Sequence, residues 1–308
     1  MYKNNKEKPF ISVVLPTYNH AHFLKDAIDS VIKQDYSNWE LIIIDNNSTD
    51  DTNQVISLFR DNRIKIHKIN NYGIIAKSRN KGIQESNGDW IAFLDSDDIW
   101  YFNKLTTIIS FLNKDNNIDI VCSNEYLHNK STGKKKILRY GPDSENIYHE
   151  LLINGNRLST SSTLVKRSFL YEKELFFDES NIFVTVEDYD LWMRIALSGG
   201  KFGFCEAILG EYTIHDSNSS NNFDLHRNNL ENVLRKHVFE IQRFNLNHTR
   251  LWSQIKPRLD IIDFKNNFKE NFFPSLNNLI GQLLKNSKFH FLYLKNTIII
   301  KIKSHVHF

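Results

Sequence analysis

The chain has 308 residues, is 41% hydrophobic and 13% aromatic, and has a formal net charge of +3; this composition can bury one full core and a smaller annex. Its two cysteines, Cys122 and Cys205, argue against a disulfide framework and suit a reducing cytosol. No apolar run approaches the ~20 residues that a membrane span needs, and the polar residues 1–8 do not resemble a signal peptide, so we expect a cytoplasmic protein.

Four apolar runs before residue 100 are each followed by a polar segment, and the first three also by a helical pattern. The runs are residues 11–15, 41–44, 64–69 and 90–94, and the helical patterns are residues 23–32, 55–59 and 76–84. Strands that alternate with helices predict a mainly parallel, Rossmann-like sheet with helices on both faces. Ligands of such sheets bind at the carboxyl ends of the strands, where the polar segments would converge.

The fourth apolar run ends on an Asp-x-Asp motif, with carboxylates at Asp95, Asp97 and Asp98. Like charges this close repel one another unless a cation lies among them. A magnesium or manganese ion held by one or two carboxylates and by substrate phosphates would relieve the repulsion. The alternative is that Asp97 or Asp98 only caps a helix beginning at Ile99.

A second acidic pair, Glu187 and Asp188, opens a helical pattern that runs to Leu197. Asp188 lies three and four residues before two apolar positions and so on the inward face, whereas Glu187 lies about 100° around the axis. A carboxylate on an inward face needs a cleft or a partner, which makes Asp188 the better candidate for a general base. The alternative is that both acids only interact with the helix dipole, which would lower the pKa of Asp188. Asp190 and Arg194 are predicted to pair on the other face.

Five motifs occur in the order found in family 2 glycosyltransferases. They are residues 13–19 (VVLPTYN), 41–50 (LIIIDNNSTD), 76–82 (AKSRNKG), 95–98 (DSDD) and 187–192 (EDYDLW). Over about residues 9–220 the chain therefore resembles these inverting enzymes, which have the A-type glycosyltransferase (GT-A) fold. The resemblance implies a nucleotide-sugar-binding catalytic domain at residues 1–222. It does not extend to residues 223–308, which we expect to form a basic, mainly helical annex.

The resemblance also assigns residues to the donor nucleotide. It implies that Asp45 faces the pyrimidine base, although the same residue could simply form an Asx turn. Tyr18 is similar to the aromatic platform on which the base stacks. The alternative is that its ring only packs against other side chains. Pro16, Thr17 and Asn19 complete this donor-binding turn.

Further donor contacts are implied in the next two motifs. Asn71 is similar to a position near the nucleotide, although Asn70 could serve instead. Arg79 offers a forked donor to phosphate or base, with a solvated helix face as the alternative. The resemblance places Asp95 against the ribose, and Ser96 is small enough to let the backbone approach the diphosphate.

The metal site implied by the resemblance contains Asp97, with Mn²⁺ or Mg²⁺ as the ion, while Asp98 is expected to cap a helix. Residues 202–214 are predicted to form a strand that ends at His215. A histidine in this place is similar to one that reaches the metal or the diphosphate, and neutral imidazole suits manganese. The alternative is a loop histidine that caps or packs. The metal would act as a Lewis acid on the leaving diphosphate.

The charge is unevenly distributed along the chain. Residues 224–308 contain 14 Lys and Arg against 6 Asp and Glu, and residues 1–223 have a balance of −5. The basic region has aromatic residues interleaved with its cations, namely Trp252, Phe264, Phe268, Phe272 and Phe273. Our hypothesis is peripheral contact with the inner face of an anionic membrane that contains a lipid-linked acceptor. A helical annex packed on the catalytic domain, or a dimer contact, is the alternative. Nothing in the sequence resembles a nucleic-acid-binding motif.

Two functions remain open on the sequence. The first is an inverting glycosyltransferase that moves a sugar from a nucleotide diphosphate, expected to be UDP, to a glycan or lipid-linked hydroxyl in a bacterial capsule, lipopolysaccharide or related polymer. The second is a non-catalytic nucleotide-sugar-binding or scaffold subunit. A third function, that of a nucleotidyltransferase, fits the sequence less well. The presence of both Asp188 and Asp97 favours the enzyme, because a binding subunit needs no base. The sequence names no sugar, and residues 159–163 are expected to form the floor of the sugar pocket.

Overall fold

A computed structural model describes residues 8–141, 144–216, 218, 222–241 and 247–267. The chain divides into two compact units, one that ends at Val233 and one that begins at Leu234. The first unit contains the sheet and the candidate site, and the second contains the helical segments that follow.

Within the described residues the first unit is built on one mixed sheet, with strands in the order β3-β2-β1-β4-β8-β6-β9-β5 and β7 paired to β6. The strands are β1 (Ile11–Thr17), β2 (Trp39–Asp45), β3 (Ile64–Lys68), β4 (Trp90–Phe93), β5 (Ile99–Trp100), β6 (Ile120–Asn129), β7 (Lys135–Leu138), β8 (Thr163–Lys166) and β9 (Phe202–Ile214).

The predicted parallel pairing describes the first half of this sheet. Strands β1 to β4 pair in parallel, as the expected α/β fold class requires. The second half is different, because β8 is antiparallel to both β4 and β6, and β5 is antiparallel to β9. The sheet therefore joins a parallel half to a mixed half between β4 and β8.

Burial explains why the central strands read as continuous apolar runs. Every residue of β1 and β2 is buried, as expected for parallel strands covered on both faces. The edge strand β3 instead contains only partly exposed and exposed residues, and it includes Lys65 and Lys68, which discourage pairing with another chain.

The helices flank the sheet and use the predicted apolar periodicity. In α1 the residues Leu24, Ala27, Ile28 and Val31 form one buried stripe at helical spacing. The helices of this unit are α1 (Ala21–Ile32), α2 (Thr52–Ser57), α3 (Ile75–Glu85), α4 (Lys104–Leu112), α5 (Ile147–Asn154), α6 (Arg167–Glu172), α7 (Glu187–Leu197) and α8 (Phe223–Lys236), the last of which ends beyond Val233. The predicted helices and strands before residue 95 are confirmed, as is the strand at residues 202–214.

The connection between α3 and β4 shows how closely the backbone packs at the amino ends of the strands. A side chain at Gly88 would put its Cβ 2.6 Å from the Ser12 backbone nitrogen and 2.7 Å from the Phe10 carbonyl oxygen. Backbone atoms cannot move aside as a flexible side chain can, so this position requires glycine.

The expected helix at Ile99 is wrong. Residues 99 and 100 form the short strand β5, and the next helix, α4, begins only at Lys104. Asp98 is therefore not a helix cap. It is 2% exposed and accepts hydrogen bonds from the backbone of Thr213 at 2.8 Å and from the Ser161 hydroxyl. It ties the loop of residues 95–98, the acidic loop, to β9.

The basic C-terminal region is helical where it is described. Helix α8 continues into a short π-helical segment at His237–Ile241, and α9 (His248–Asn267) follows, with Pro257 inside it. Trp252 and Phe264 lie on α9, whereas Phe268, Phe272 and Phe273 lie outside the described residues. No helix among the described segments is long and apolar enough to span a bilayer.

Candidate active site

A cavity of about 400 Å³ lies where the loops after β1, β2 and β4 meet the amino end of α7. The parallel register puts Thr17 opposite Asp45, so the strands β1 and β2 end at the same level. All the predicted site residues line this cavity except Asn19, Asp45 and His215. Segments about 170 residues apart in sequence therefore meet at one edge of the sheet, as the strand pattern predicted.

The turn after β1 presents an aromatic ring at the rim of the cavity. Tyr18 is 54% exposed, so it is not a packed core residue. Asn19 has a φ of +52° and binds the loop after β2 instead of lining the cavity. Its backbone N–H donates to Ser48 Oγ at 3.0 Å, and its Oδ1 accepts from the Thr49 N–H at 2.8 Å. Asn19 thus links the first two polar loops.

Asp45 lies behind the cavity wall and is fully buried. Its Oδ1 accepts from the Ser48 N–H at 2.9 Å, so the Asx turn that the sequence left open does form. Its Oδ2 lies 3.8 Å from Lys68 Nζ and has no hydrogen-bond partner among the described residues. One oxygen of this carboxylate therefore remains able to accept a hydrogen bond.

Asn71 and Asn46 join the loops after β2 and β3. The Asn71 N–H donates to Asn46 Oδ1 at 2.7 Å, and Asn71 Nδ2 donates to Ser78 Oγ at 2.9 Å. All three residues line the cavity. Asn71 is 5% exposed, so most of its side chain is packed within the cavity wall and only a small part faces the cavity.

Arg79 of α3 connects the acidic loop to the acidic pair at the start of α7. Its guanidinium is 4% exposed, which makes the alternative of a solvated helix face wrong. Nη2 donates to Asp95 Oδ1 at 2.8 Å, and Nη1 donates to Glu187 Oε1. Burial lowers the pKa of Arg79, but the Asp95 and Glu187 carboxylates outweigh burial and raise this pKa above its ordinary value. The arginine is a permanent positive bridge between the two acidic groups.

The acidic loop is hydrogen-bonded to the segment predicted to form the floor of the sugar pocket, residues 159–163. The Asp95 N–H donates to Ser161 Oγ at 3.0 Å, and the same hydroxyl donates to Asp98. Burial and the neighbouring Asp97 raise the pKa of Asp98 well above its ordinary value. Thr160, one residue before Ser161, lines the cavity itself.

Asp97 and His215 form the candidate metal pair. His215 Nε2 lies 2.8 Å from Asp97 Oδ2, and Asn218 Nδ2 donates to the same oxygen at 3.3 Å. The His215 ring packs on Phe23, with ring centroids 4.3 Å apart. The described residues contain no group of three or more His, Cys, Asp or Glu side chains that could hold an ion alone. An ion here would need ligands from a bound phosphate as well, as Mg²⁺ and Mn²⁺ commonly have.

The acidic pair at the start of α7 has two different environments, and the expectation that Asp188 is the more inward of the two is wrong, because Glu187 is the more buried. Glu187 is 4% exposed; burial raises its pKa to about 7, although Arg79 lowers it. Asp188 is half-buried and accepts from Asn156 Nδ2 and Thr160 Oγ1, each at 3.2 Å. Burial raises the pKa of Asp188 as well and outweighs the opposing effect of Arg79, so the expected lowering of this pKa is wrong.

Asp190 and Arg194 pair as predicted, but not on an exposed face. Asp190 is fully buried, and its Oδ2 accepts from Arg194 Nε at 2.7 Å. Asp190 does not line the cavity, so the pair supports the helix and not the site.

Several lining residues were missed at the sequence level. His20, whose Nδ1 lies 2.8 Å from Ser96 Oγ, follows the Tyr18 turn, and its position after a strand could have indicated it. Thr185 and Tyr212 also line the cavity and had no local signal, because Thr185 lies in the irregular segment just before α7 and Tyr212 lies within the long strand β9.

Residues 12–177 match the family model described as "Glycosyl transferase family 2". The chain belongs to this family. This family 2 glycosyltransferase is 34% identical over 215 residues to the UDP-Glc:alpha-D-GlcNAc-diphosphoundecaprenol beta-1,3-glucosyltransferase WfgD of Escherichia coli, covering 69% of this chain and 80% of that protein. It is also 36% identical over 107 residues to the putative teichuronic acid biosynthesis glycosyltransferase TuaG of Bacillus subtilis, covering 34% of this chain and 42% of that protein.

Solved structures support the GT-A fold of this glycosyltransferase. The complex of S. aureus TarS with UDP-GlcNAc aligns with a TM-score of 0.66 at 18% identity, over 88% of this chain and 79% of that chain. The mannosyltransferase PcManGT from Pyrobaculum calidifontis, in complex with GDP-Man and Mn²⁺, aligns with a TM-score of 0.60 at 15% identity, over 94% of this chain and 84% of that chain.

Proposed function

We propose that this glycosyltransferase moves one sugar, with inversion, from a UDP-sugar to a hydroxyl of a glycan or lipid-linked acceptor in bacterial surface-polysaccharide synthesis. The observation that supports it most is that Asp95 and Asp97 line the same cavity as Glu187 and Asp188. A donor-binding acid and a separate candidate base are thus available to one substrate. The name of WfgD, a UDP-glucose-dependent enzyme with a diphosphoundecaprenol acceptor, supports the donor and acceptor classes.

The nucleotide end of the cavity suits a uracil base and ribose. Asp45 Oδ2 lies behind the cavity wall and has no hydrogen-bond partner among the described residues, so it can accept the N–H of a pyrimidine when the wall opens to admit the base. A base that offers no donor there would leave this oxygen unpaired. The exposed ring of Tyr18 can stack on the base. The Asp95 carboxylate, which Arg79 holds in place, can accept hydrogen bonds from the ribose hydroxyls.

Asp97 and His215 are the residues that would hold Mn²⁺ or Mg²⁺. Their contacting atoms, a carboxylate oxygen and an imidazole nitrogen, lie 2.8 Å apart and are ligands that suit Mn²⁺. When bound, the ion supplies Lewis-acid stabilisation of the charge on the leaving diphosphate. Ser96 is 4% exposed, and its Oγ lies 2.8 Å from His20 Nδ1, which fixes the side chain between the two acids.

Asp188 is proposed as the general base. Its carboxylate lines the cavity and is oriented by Asn156 and Thr160, and its raised pKa makes it the stronger proton acceptor that the acceptor hydroxyl requires. Glu187 is less suitable because Arg79 binds one of its oxygens. The hydroxyl attacks the anomeric carbon as its proton passes to Asp188, and the bond to the diphosphate breaks on the opposite side.

The test distinguishes the role of Asp188 as the base from that of Asp97 as a metal ligand. Asp188→Asn is expected to retain UDP binding by calorimetry while transfer falls by roughly 10²–10⁴, the usual contribution of a general base. Asp97→Ala is expected to weaken manganese-dependent UDP binding itself. Asp224→Asn, an exposed aspartate on α8, is the matched control and should leave both unchanged. Full transfer activity in the Asp188 variant would refute the assigned base.

We also propose peripheral membrane contact through the basic C-terminal region, which has 14 Lys and Arg against 6 Asp and Glu. Flotation of the full chain with vesicles containing phosphatidylglycerol should exceed flotation with neutral phosphatidylcholine vesicles. Arg250→Ser on α9 should reduce it, and Lys134→Ser, an exposed control in the first unit, should not. Equal flotation with both vesicle types would contradict this part of the proposal.

A further inference from the structure

The turn immediately before the acidic pair has an unfavourable backbone conformation. Thr185 has a φ of +74°, although it is β-branched, and such residues rarely adopt positive φ. Val184 and Thr185 both line the cavity, and Glu187 begins α7 two residues later. Strained residues of this kind persist only where the surrounding structure holds them, and they cluster at functional sites.

Helix α8 supplies the groups that hold this turn. Asn229 is 5% exposed, and its Nδ2 donates to the Val184 carbonyl oxygen at 2.9 Å. His226 Nδ1 lies 3.1 Å from Thr185 Oγ1, within hydrogen-bond distance. The two residues are three apart on α8 and so lie on one face of the helix. All four residues belong to the first compact unit.

We infer that His226 and Asn229 are positioning residues for Asp188, so that α8 fixes the direction in which the first turn of α7 presents its carboxylates to the acceptor. This inference rests on the proposed role of Asp188 as the base. Both positioning residues lie beyond residues 12–177, the part of the chain that matches the family model.

The geometry makes the coupling direct. Thr185 is three residues before Asp188, and the Val186 carbonyl already accepts from the Asp190 N–H at 3.1 Å, so a rotation at Thr185 turns the start of the helix. On the donor side, the contact of Asp97 with His215 does not involve this turn, and Arg79 joins it only through Glu187, while its other nitrogen holds Asp95. Loss of the α8 contacts should therefore lower turnover by more than it weakens nucleotide binding.

The first test measures the turn itself by hydrogen–deuterium exchange of the full chain. In Asn229→Ala, backbone amides of residues 184–190 should exchange roughly tenfold faster, while those of α3 keep their native rate. Asn228→Ala, an exposed neighbour on the same helix, is the matched control. If the alanine variant fails to fold, the same exchange is measured in His226→Phe, which keeps an aromatic ring but removes the nitrogen that lies near Thr185 Oγ1. Native exchange rates at residues 184–190 in a folded variant would overturn the inference.

The second test uses turnover and a rescue. With UDP-glucose and UDP-GlcNAc as probes, Asn229→Ala should lower kcat about tenfold with the donor KM within about twofold of native, as expected for a misoriented catalytic group. Adding Thr185→Gly, which permits positive φ without strain, should restore at least about a third of native kcat. An equal loss of UDP affinity and kcat, or no rescue by glycine, would indicate a merely structural contact and overturn the inference.

The two proposals can fail separately. If Asp188→Asn retains native transfer, the assigned base is wrong, whatever the exchange rates of the Asn229 variant. If Asp188→Asn abolishes transfer and Asn229→Ala has native kcat and native exchange, only the positioning role is wrong.

Discussion

Replacing Glu187 by glutamine should remove part of the stability that the native protein loses as the pH rises, even though the residue lies in the candidate site. Burial raises the folded-state pKa of Glu187 from 4.5 to about 7 against the opposing effect of Arg79. Below pH 4.5 the carboxyl is protonated in both states, and between pH 4.5 and 7 only the unfolded chain releases the proton. Stability is therefore lost as the pH rises through this window, by about 3 kcal/mol in total.

Glutamine cannot ionise, so Glu187→Gln should escape that loss. The difference in unfolding free energy between variant and native protein should increase by about 3 kcal/mol from pH 4.5 to pH 8, and any constant effect of the amide cancels in this comparison. Urea denaturation followed by tryptophan fluorescence, with EDTA and without nucleotide, measures it. Glu172→Gln, on the exposed end of α6, is the control and should show a flat difference. A difference for Glu187→Gln that does not change with pH would refute the reasoning.

Three further substitutions test the site and the fold. Asp45→Asn should weaken UDP binding about tenfold in calorimetry, because an amide can present a donor to the base where the carboxylate accepts; native affinity would contradict the proposed base contact. Ser161→Ala should cost about 1–3 kcal/mol in urea denaturation, because the Asp95 N–H and the buried Asp98 carboxyl lose their shared partner; an unchanged midpoint would argue against that role. Gly88→Ala should lower stability by about 1–3 kcal/mol through the clash with the Ser12 backbone, and a native melting temperature would contradict it.

The parallel half of the fold could be predicted because its signals are local. Each of its first three apolar runs ends in a polar turn and precedes an amphipathic helix, and β1 and β2 are buried throughout. The antiparallel half could not, because β8 pairs with β4 and β6, and no local pattern specifies pairing between distant strands. The error at Ile99 has a related cause. A two-residue strand is too short to show periodicity, and an acidic residue before an apolar one equally resembles a helix start.

The residues of the site were predictable where they follow strands, but their partners were not. The location of Asp95 and Asp97 at the end of β4 follows from one apolar run. The binding of Arg79 to Glu187 joins residues 108 positions apart, so the sequence offered only a generic arginine on a helix. The pKa of Asp188 is raised and not lowered, because its burial in the folded chain is a tertiary effect that an argument from the helix dipole leaves out.

The contact between Arg79 and Glu187 also bears on how the protein is made. Together with the link between Asp97 and His215, which spans 118 positions, it means that the cavity is complete only after more than two thirds of the chain has left the ribosome. Loop closure over such distances costs entropy and slows folding, whereas strands β1 to β4 lie within the first 93 residues. The cavity thus forms only after most of the chain has been synthesised, and any ligand that binds there adds to the stability of the native state.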